Sequence, residues 1–188
     1  MSPMTHVPLT VEWSLLGFLR RRPMHGYEIH QELSNPRGLG LVWRLKQSHL
    51  YALLSRLEER GYVTFTLEPQ ESHPPRKVYA LTDAGREALS AWVHSPVERG
   101  REFRIEFLAK LFFACREGEA AVGELLARQR EACCNWLADQ QTQAESLRDA
   151  RPYEWLVCRF RMGQIQAMLD WLATCEQTLL GSEIKNQE

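Results

Sequence analysis

A change of hydrophobic period in the first half most constrains what this chain can fold into. Leu50, Leu53, Leu54 and Leu57 recur at helical spacing, opened by Gln47 or Ser48 and closed by Gly61. Immediately afterwards Tyr62–Leu67 alternates with the two-residue period of a strand, and Arg76–Leu81 does so again. The polar, proline-containing segment from Glu68 to Pro75 is the turn between them. Before this helix lie two others. Thr10 is placed to cap the first, with Val11, Leu15, Leu16, Phe18 and Leu19 facing a core, Arg20–Arg22 in its last turn and Pro23 as its stop. The second is expected from about His25 to Leu33, with Tyr27, Ile29 and Leu33 available to the core. Asn35-Pro36-Arg37-Gly38 breaks the chain, and Leu39–Leu45 is expected as an apolar loop or short strand. Thr82 is placed to cap a further helix through Ala84, Ala88, Leu89, Trp92 and Val93. Helix, helix, helix, hairpin, helix is the order of a winged helix-turn-helix.

Past Ser95-Pro96 the strand-like alternation stops, which sets the expected domains at 1–94 and 95–188. Phe103, Phe107, Leu108, Leu111 and Phe112 form an amphipathic helix ending near Arg116. A long helix follows, with Val122, Leu126, Cys133, Trp136, Gln140, Ala144 and Leu147 near a three-four repeat. After the Asp149–Pro152 turn another carries Cys158, Met162, Ile165, Leu169, Leu172, Cys175 and Leu179 on one stripe. Two long helices joined by a short turn make an antiparallel hairpin, whose apolar surface calls for a partner. The expected fold is therefore mainly α with a small β-hairpin: a winged helix-turn-helix followed by an antiparallel helical dimerisation domain.

Charge qualifies the functional reading. The net charge of −1 over 188 residues argues for no nucleic-acid binder by itself. The halves differ, however: residues 1–94 hold 11 Lys+Arg against 9 Asp+Glu, and residues 95–188 hold 12 against 15. No apolar run approaches the roughly 18 residues of a membrane span, and the N-terminal Met1–His6 lacks the order of a signal peptide, so a cytoplasmic protein is expected. The five cysteines fall in the second half without a C-x-x-C pair, as small packing residues rather than a metal or redox site. His25 and His30 are five apart, off the spacing that puts two ligands on one helix face. With no Walker loop, G-x-G-x-x-G or G-x-S-x-G, no catalytic residue, metal or cofactor is expected.

In a helix-turn-helix the second helix of the unit enters the major groove and its N-terminal side chains reach base edges. Here those are Gln47, Ser48 and His49, with Ala52, Ser55 and Arg56 following. Gln pairs with adenine, Arg with guanine or phosphate, and Ser or His with either. Arg76 and Lys77 sit on the wing, where cations meet the DNA backbone. The alternative is a winged-helix protein–protein interaction module without DNA binding, which predicts no salt-dependent DNA affinity.

Four segments in order carry a more specific signal: Leu15–Leu19, Pro23–Ile29, Leu50–Val63 and Pro74–Gly85. Across residues 14–93 the chain resembles the PadR-like transcriptional regulators, and Glu106–Phe113 is similar to a segment of the subgroup with a long helical C-terminal domain. The resemblance implies a homodimer through the C-terminal helices, binding a pseudo-palindromic double-stranded operator, usually as a repressor. It implies backbone contacts from Tyr27, Tyr51, Arg76 and Lys77. It also implies a small aromatic effector, for which Trp136 and Trp155 on the arm are the candidate stacking residues. His73 stands where many relatives carry Gly before Pro-Pro-Arg, so a differently shaped wing tip is expected.

Overall fold

The computed structural model describes residues 10–43, 45–69, 75–148 and 150–181. Arg44, the wing-tip residues 70–74 with His73, and Asp149 lie outside the described residues, and the expectation for the wing tip lies outside them too. The fold is mainly helical with a small antiparallel sheet, and the chain forms two compact units: Met1–Val93 with Leu108–Phe113, and His94–Phe107 with Ala114–Glu188.

In the first unit the elements are α1 (Thr10–Leu19), β1 (Met24–His25), α2 (Gly26–Ser34), a 3-10 turn (Leu39–Leu41), α3 (Gln47–Glu59), β2 (Val63–Glu68), β3 (Arg76–Leu81) and α4 (Asp83–Val93). The leucines that set the helical period form the core: Leu15, Leu16, Leu33, Leu50, Leu53, Leu54 and Leu57 are all fully buried with Ile29 and Val93. Each contributes about 1.5–3 kcal/mol relative to an exposed side chain, enough to fix the packing of α1 to α4. Gly61 ends α3 with φ of 71°, the left-handed conformation that favours glycine. Its neighbour Tyr62 donates its N–H back to the Leu57 carbonyl at 3.0 Å, which aims the chain into β2.

β2 and β3 pair antiparallel from Val63 with Leu81 to Glu68 with Arg76. A third strand joins them, because Met24 pairs with Tyr79 and His25 with Val78. Two residues are too few to show a period, so this strand is invisible to pattern reading. Two other differences are local. The helix α1 ends at Leu19, leaving Arg20–Arg22 beyond its last turn, and the 39–45 stretch contributes a 3-10 turn in which Leu39 is buried and Leu41 exposed. Thr82 acts as the cap of α4: its hydroxyl oxygen accepts the Gly85 N–H at 3.0 Å.

Aromatic side chains complete this unit. Trp13 stacks on Tyr62 and Trp92, with ring centroids 6.1 and 5.8 Å apart. Phe112 and Phe113 present edges to Phe18 at 6.3 and 5.5 Å, which explains why Leu108–Phe113 clusters with these helices. Lys110 is buried with them, its ammonium 5.3 Å from the Trp92 ring centroid.

The second unit contains α5 (Gly100–Glu102), a π-helical turn (Phe103–Phe107), the end of α6 (Leu108–Glu117), α7 (Glu119–Leu147) and α8 (Pro152–Leu179). Proline stands at the first position of α8, where its missing N–H costs nothing. Arg130 bridges to Glu176 at 2.6 Å, and a Cβ on Gly123 would lie 3.7 Å from Leu180, so higher α8 numbers face lower α7 numbers. The two helices are antiparallel. Phe103 and Phe107 stack 4.7 Å apart and meet the edge of Trp171 at 5.6 and 6.1 Å. Gln129, wholly buried, accepts the Val97 N–H at 2.8 Å and so satisfies a polar group that pattern reading gives no reason to place in a core.

Cys133, Cys158 and Cys175 are buried packing residues, whereas Cys115 and Cys134 are exposed. Burial pushes the Cys133 thiol up, and that of Cys175 up to about 11, so neither is a ready thiolate. Among the described residues no helix is long and apolar enough to cross a membrane.

Candidate nucleic-acid interface

Helix α3 buries Leu50, Leu53, Leu54 and Leu57 on one face, and the 3.6-residue period therefore sets Ser48, Ala52 and Ser55 on the opposite face. All three are exposed, as are Gln47 and His49 in the first turn. The first turn has no side-chain cap on Lys46, and its helix dipole presents partial positive charge at that end. Small side chains on an exposed helix face leave room for an approaching surface.

The flank of α3 next to the sheet brings the remaining expected contacts together. Tyr27, Tyr51, Ser55, Arg76 and Lys77 line one cleft of about 540 Å³, with His25, Gly26 and Tyr79. Glycine at position 26 is a packing requirement: a Cβ there would lie 2.6 Å from the Tyr51 ring. Tyr51 therefore rests against the start of α2, half exposed. Beyond it the Arg76 guanidinium stands 5.8 Å from the Tyr27 ring centroid, and Tyr27 stacks on His25 at 5.6 Å.

The wing cations are held by their surroundings. Lys77 Nζ lies 3.6 Å from the Phe65 ring centroid and 3.7 Å from Glu58 Oε2, with its side chain still 41% exposed. That exposure leaves the ammonium available to a phosphate, which would replace a solvent-screened ion pair of small worth. His25 faces two oxygens, Glu68 Oε2 at 3.1 Å from Nε2 and the Lys77 carbonyl at 3.3 Å from Nδ1, and so ties the N-terminus of α2 to the wing. Tyr79 beneath the cleft is buried. Burial first, then the Glu58 carboxylate and Tyr51, pushes its phenol above the ordinary value and keeps it neutral.

The entry to α2 is fixed by a carboxylate. The His25 backbone N–H donates to Glu28 Oε2 at 2.7 Å, and Arg22 bridges Glu28 Oε1 at 2.9 Å. That backbone hydrogen bond, with Arg22 beside it, holds Glu28 below the usual carboxylate range against the opposing effect of burial.

Arg56 lies apart from the cleft. It is on the other flank of α3, with Nε 3.0 Å from Oε1 of Glu12, a fully buried residue of α1. Arg60, one turn on, donates from Nη1 to Glu12 Oε2 at 3.3 Å. Pattern reading passes over Glu12, Glu58 and Glu68, because carboxylates on an expected DNA-binding surface look like solvated charges. Glu12 does leave a trace, as an acidic residue in the otherwise apolar start of α1.

In the second unit Trp136 and Trp155 occupy separate clefts. Trp136 borders one of about 520 Å³ with Arg99, Arg101, Gln140, Arg161 and Met168. Trp155 borders one of about 440 Å³ with Ala144, Arg148 and Met162, and carries the Arg159 guanidinium 5.9 Å from its ring centroid. Among the described residues no three His, Cys, Asp or Glu side chains come together as a metal site.

Two family models match the chain. Residues 15–91 match the Transcriptional regulator PadR-like family, and residues 103–179 match the family described as Virulence activator alpha C-term. The Negative transcriptional regulator PadR of Bacillus subtilis is 29% identical over 139 residues, covering 73% of this chain and 74% of that protein. The Mycobacterium tuberculosis protein named "Probable transcriptional regulator Rv1176c" is 26% identical over 138 residues, covering 73% of this chain and 67% of that one. The crystal structure of Bacillus subtilis PadR in complex with operator DNA aligns over 91% of this chain and 99% of that chain, with 24% identity and a TM-score of 0.46. By its residues 15–91 the chain belongs to the PadR-like family of transcriptional regulators, DNA-binding proteins with a winged helix-turn-helix.

Proposed function

We propose that the chain is a repressor that binds a pseudo-palindromic operator as a homodimer and answers to a small planar aromatic ligand. The observation that carries this reading is the cleft joining Tyr27, Tyr51, Arg76 and Lys77 beside the exposed first turn of α3. Two cations and two phenols along one edge suit the phosphate backbone, while Gln47, Ser48, His49 and Ser55 would face bases or phosphates in the groove. The repressing sign follows the Bacillus subtilis relative, which is named a negative regulator.

A dimer supplies the second half-site. Tyr153, Leu156 and Phe160 are 75%, 58% and 67% exposed on α8, spaced so that they share one face. Water is a poor neighbour for such a stripe, and a second copy of α8 is a suitable one. Two α3 helices related by a dyad would enter successive major grooves about 34 Å apart. The effector would stack on Trp136 or Trp155, where arginines complement an anionic substituent.

Selection from a pool of randomised duplexes tests the DNA half of the reading. An inverted repeat with half-sites about 10 base pairs apart is expected. Enrichment of a single unrepeated half-site would overturn the dimeric operator. For the effector, Trp→Phe changes at 136 and 155 should abolish fluorescence quenching by an aromatic acid that releases the selected duplex. Quenching that survives both changes removes these residues from the effector site.

A further inference from the structure

We propose that Glu12 is the positioning residue of the interface: it fixes the setting of α3 and withholds two arginine charges from non-specific DNA. The inference rests on the DNA-binding reading of α3 and concerns how that surface discriminates.

Glu12 has no exposed surface, and an ionised carboxylate out of water is expensive unless cations compensate it. Two cations that compensate it come from α3. Arg56 and Arg60 are four residues apart, hence on one flank of that helix, and they take separate oxygens of the same carboxylate at 3.0 and 3.3 Å. Their roles differ. Arg60 donates a hydrogen bond to Oε2, whereas Arg56 Nε lies 3.0 Å from Oε1 as an ion pair, without a hydrogen bond from that nitrogen.

The opposite flank of α3 is gripped with reversed polarity, because Glu58 on the helix meets Lys77 on the wing at 3.7 Å. Between the two grips runs the exposed row Ser48, Ala52 and Ser55. A buried pair of this kind is a poor source of stability, since apolar residues of equal volume are often as good. It is a good source of orientation, because two arginines on one carboxylate define the rotation of α3 about its axis. It also compensates charge. Arg56 and Arg60 keep side-chain exposures of 41% and 23%, so releasing them would add two cations to the surface that meets phosphate.

Glu12→Gln tests this in the full-length protein, with one duplex taken from the selection and one scrambled duplex of equal length. Freed arginines should strengthen scrambled-duplex binding and steepen its salt dependence by about one to two, at about 0.9 per phosphate. Loss of orientation should lower the ratio of selected to scrambled affinity by about tenfold, or about 1.4 kcal/mol. The double change Glu12→Gln, Arg60→Gln puts a neutral hydrogen bond in place of the charged one. It should bring the salt slope back by about one while the ratio stays low, and it carries the test if the single variant does not fold. An unchanged ratio and slope, with only the melting temperature altered, would make Glu12 a structural residue and overturn the proposal. Salt-independent binding by the wild-type protein would instead defeat the DNA-binding reading itself.

Discussion

The two units solve the same problem of apolar burial differently. The first closes on itself: seven leucines and an isoleucine are wholly covered, and the side chains left around α3 are small, polar or tied in ion pairs. The second is a helical pair whose facing residues are buried but whose α8 keeps Tyr153, Leu156 and Phe160 in water. A unit that completes its core alone is free to use its surface for recognition. A unit that does not offers that stripe to a partner, and in the proposed homodimer the partner would double the number of half-sites contacted.

The strongest way to break this contrast is to charge the exposed stripe. Leu156→Glu with Phe160→Glu should yield a monomer in sedimentation, and affinity for the full selected duplex should fall by about 100-fold or more as the two sites cease to act together. A dimer that persists would place self-association elsewhere. In the first unit the matching insult is internal. Leu54→Ala, at a fully buried position of α3, should cost about 2–5 kcal/mol in urea denaturation. A loss below about 1 kcal/mol would mean that this core tolerates a hole, contrary to interiors packed at near-crystalline density.

A smaller effect sharpens the role of charge at the entry to α2. Glu28 is held below its ordinary value of 4.5 by the His25 N–H and Arg22. A depressed carboxylate stabilises the fold above its unfolded value, and that stabilisation is lost as pH falls through the lower folded value. Glu28→Gln should therefore be less stable than wild type by about 1 kcal/mol at neutral pH, the scale of a missing helix cap. The two stability curves should converge in acid below 4.5. A difference that persists there would assign the effect to packing instead of the charged cap.

Much of the fold is readable from the chain because its signals are periodic and local. The leucines of α3, Gly61, the alternation of β2 and β3 and the Thr82 cap each name a structure without outside information. The π-helical turn at Phe103–Phe107 and the two-residue β1 are different, since both are settled by packing that no local period records. The site is readable to a similar depth. Residue types appropriate for a groove point to Gln47, Ser48, His49 and Ser55, and family resemblance supplies Tyr27 and Tyr51. What sequence does not reveal are the carboxylates behind the cations. Glu12 and Arg56 are 44 positions apart, Lys77 and Glu58 are 19 apart, and only folding brings either pair together.

If the wing cations and α3 form one surface for duplex DNA, that surface must respond to salt. The most direct measurement is the affinity of wild type and of Arg76→Ala, Lys77→Ala for one selected duplex across a salt series. Log affinity should fall steeply and linearly with log salt for wild type. The slope should be shallower by about two for the double variant, one for each phosphate that no longer meets a cation. Identical affinity and slope in the two proteins would contradict a shared surface.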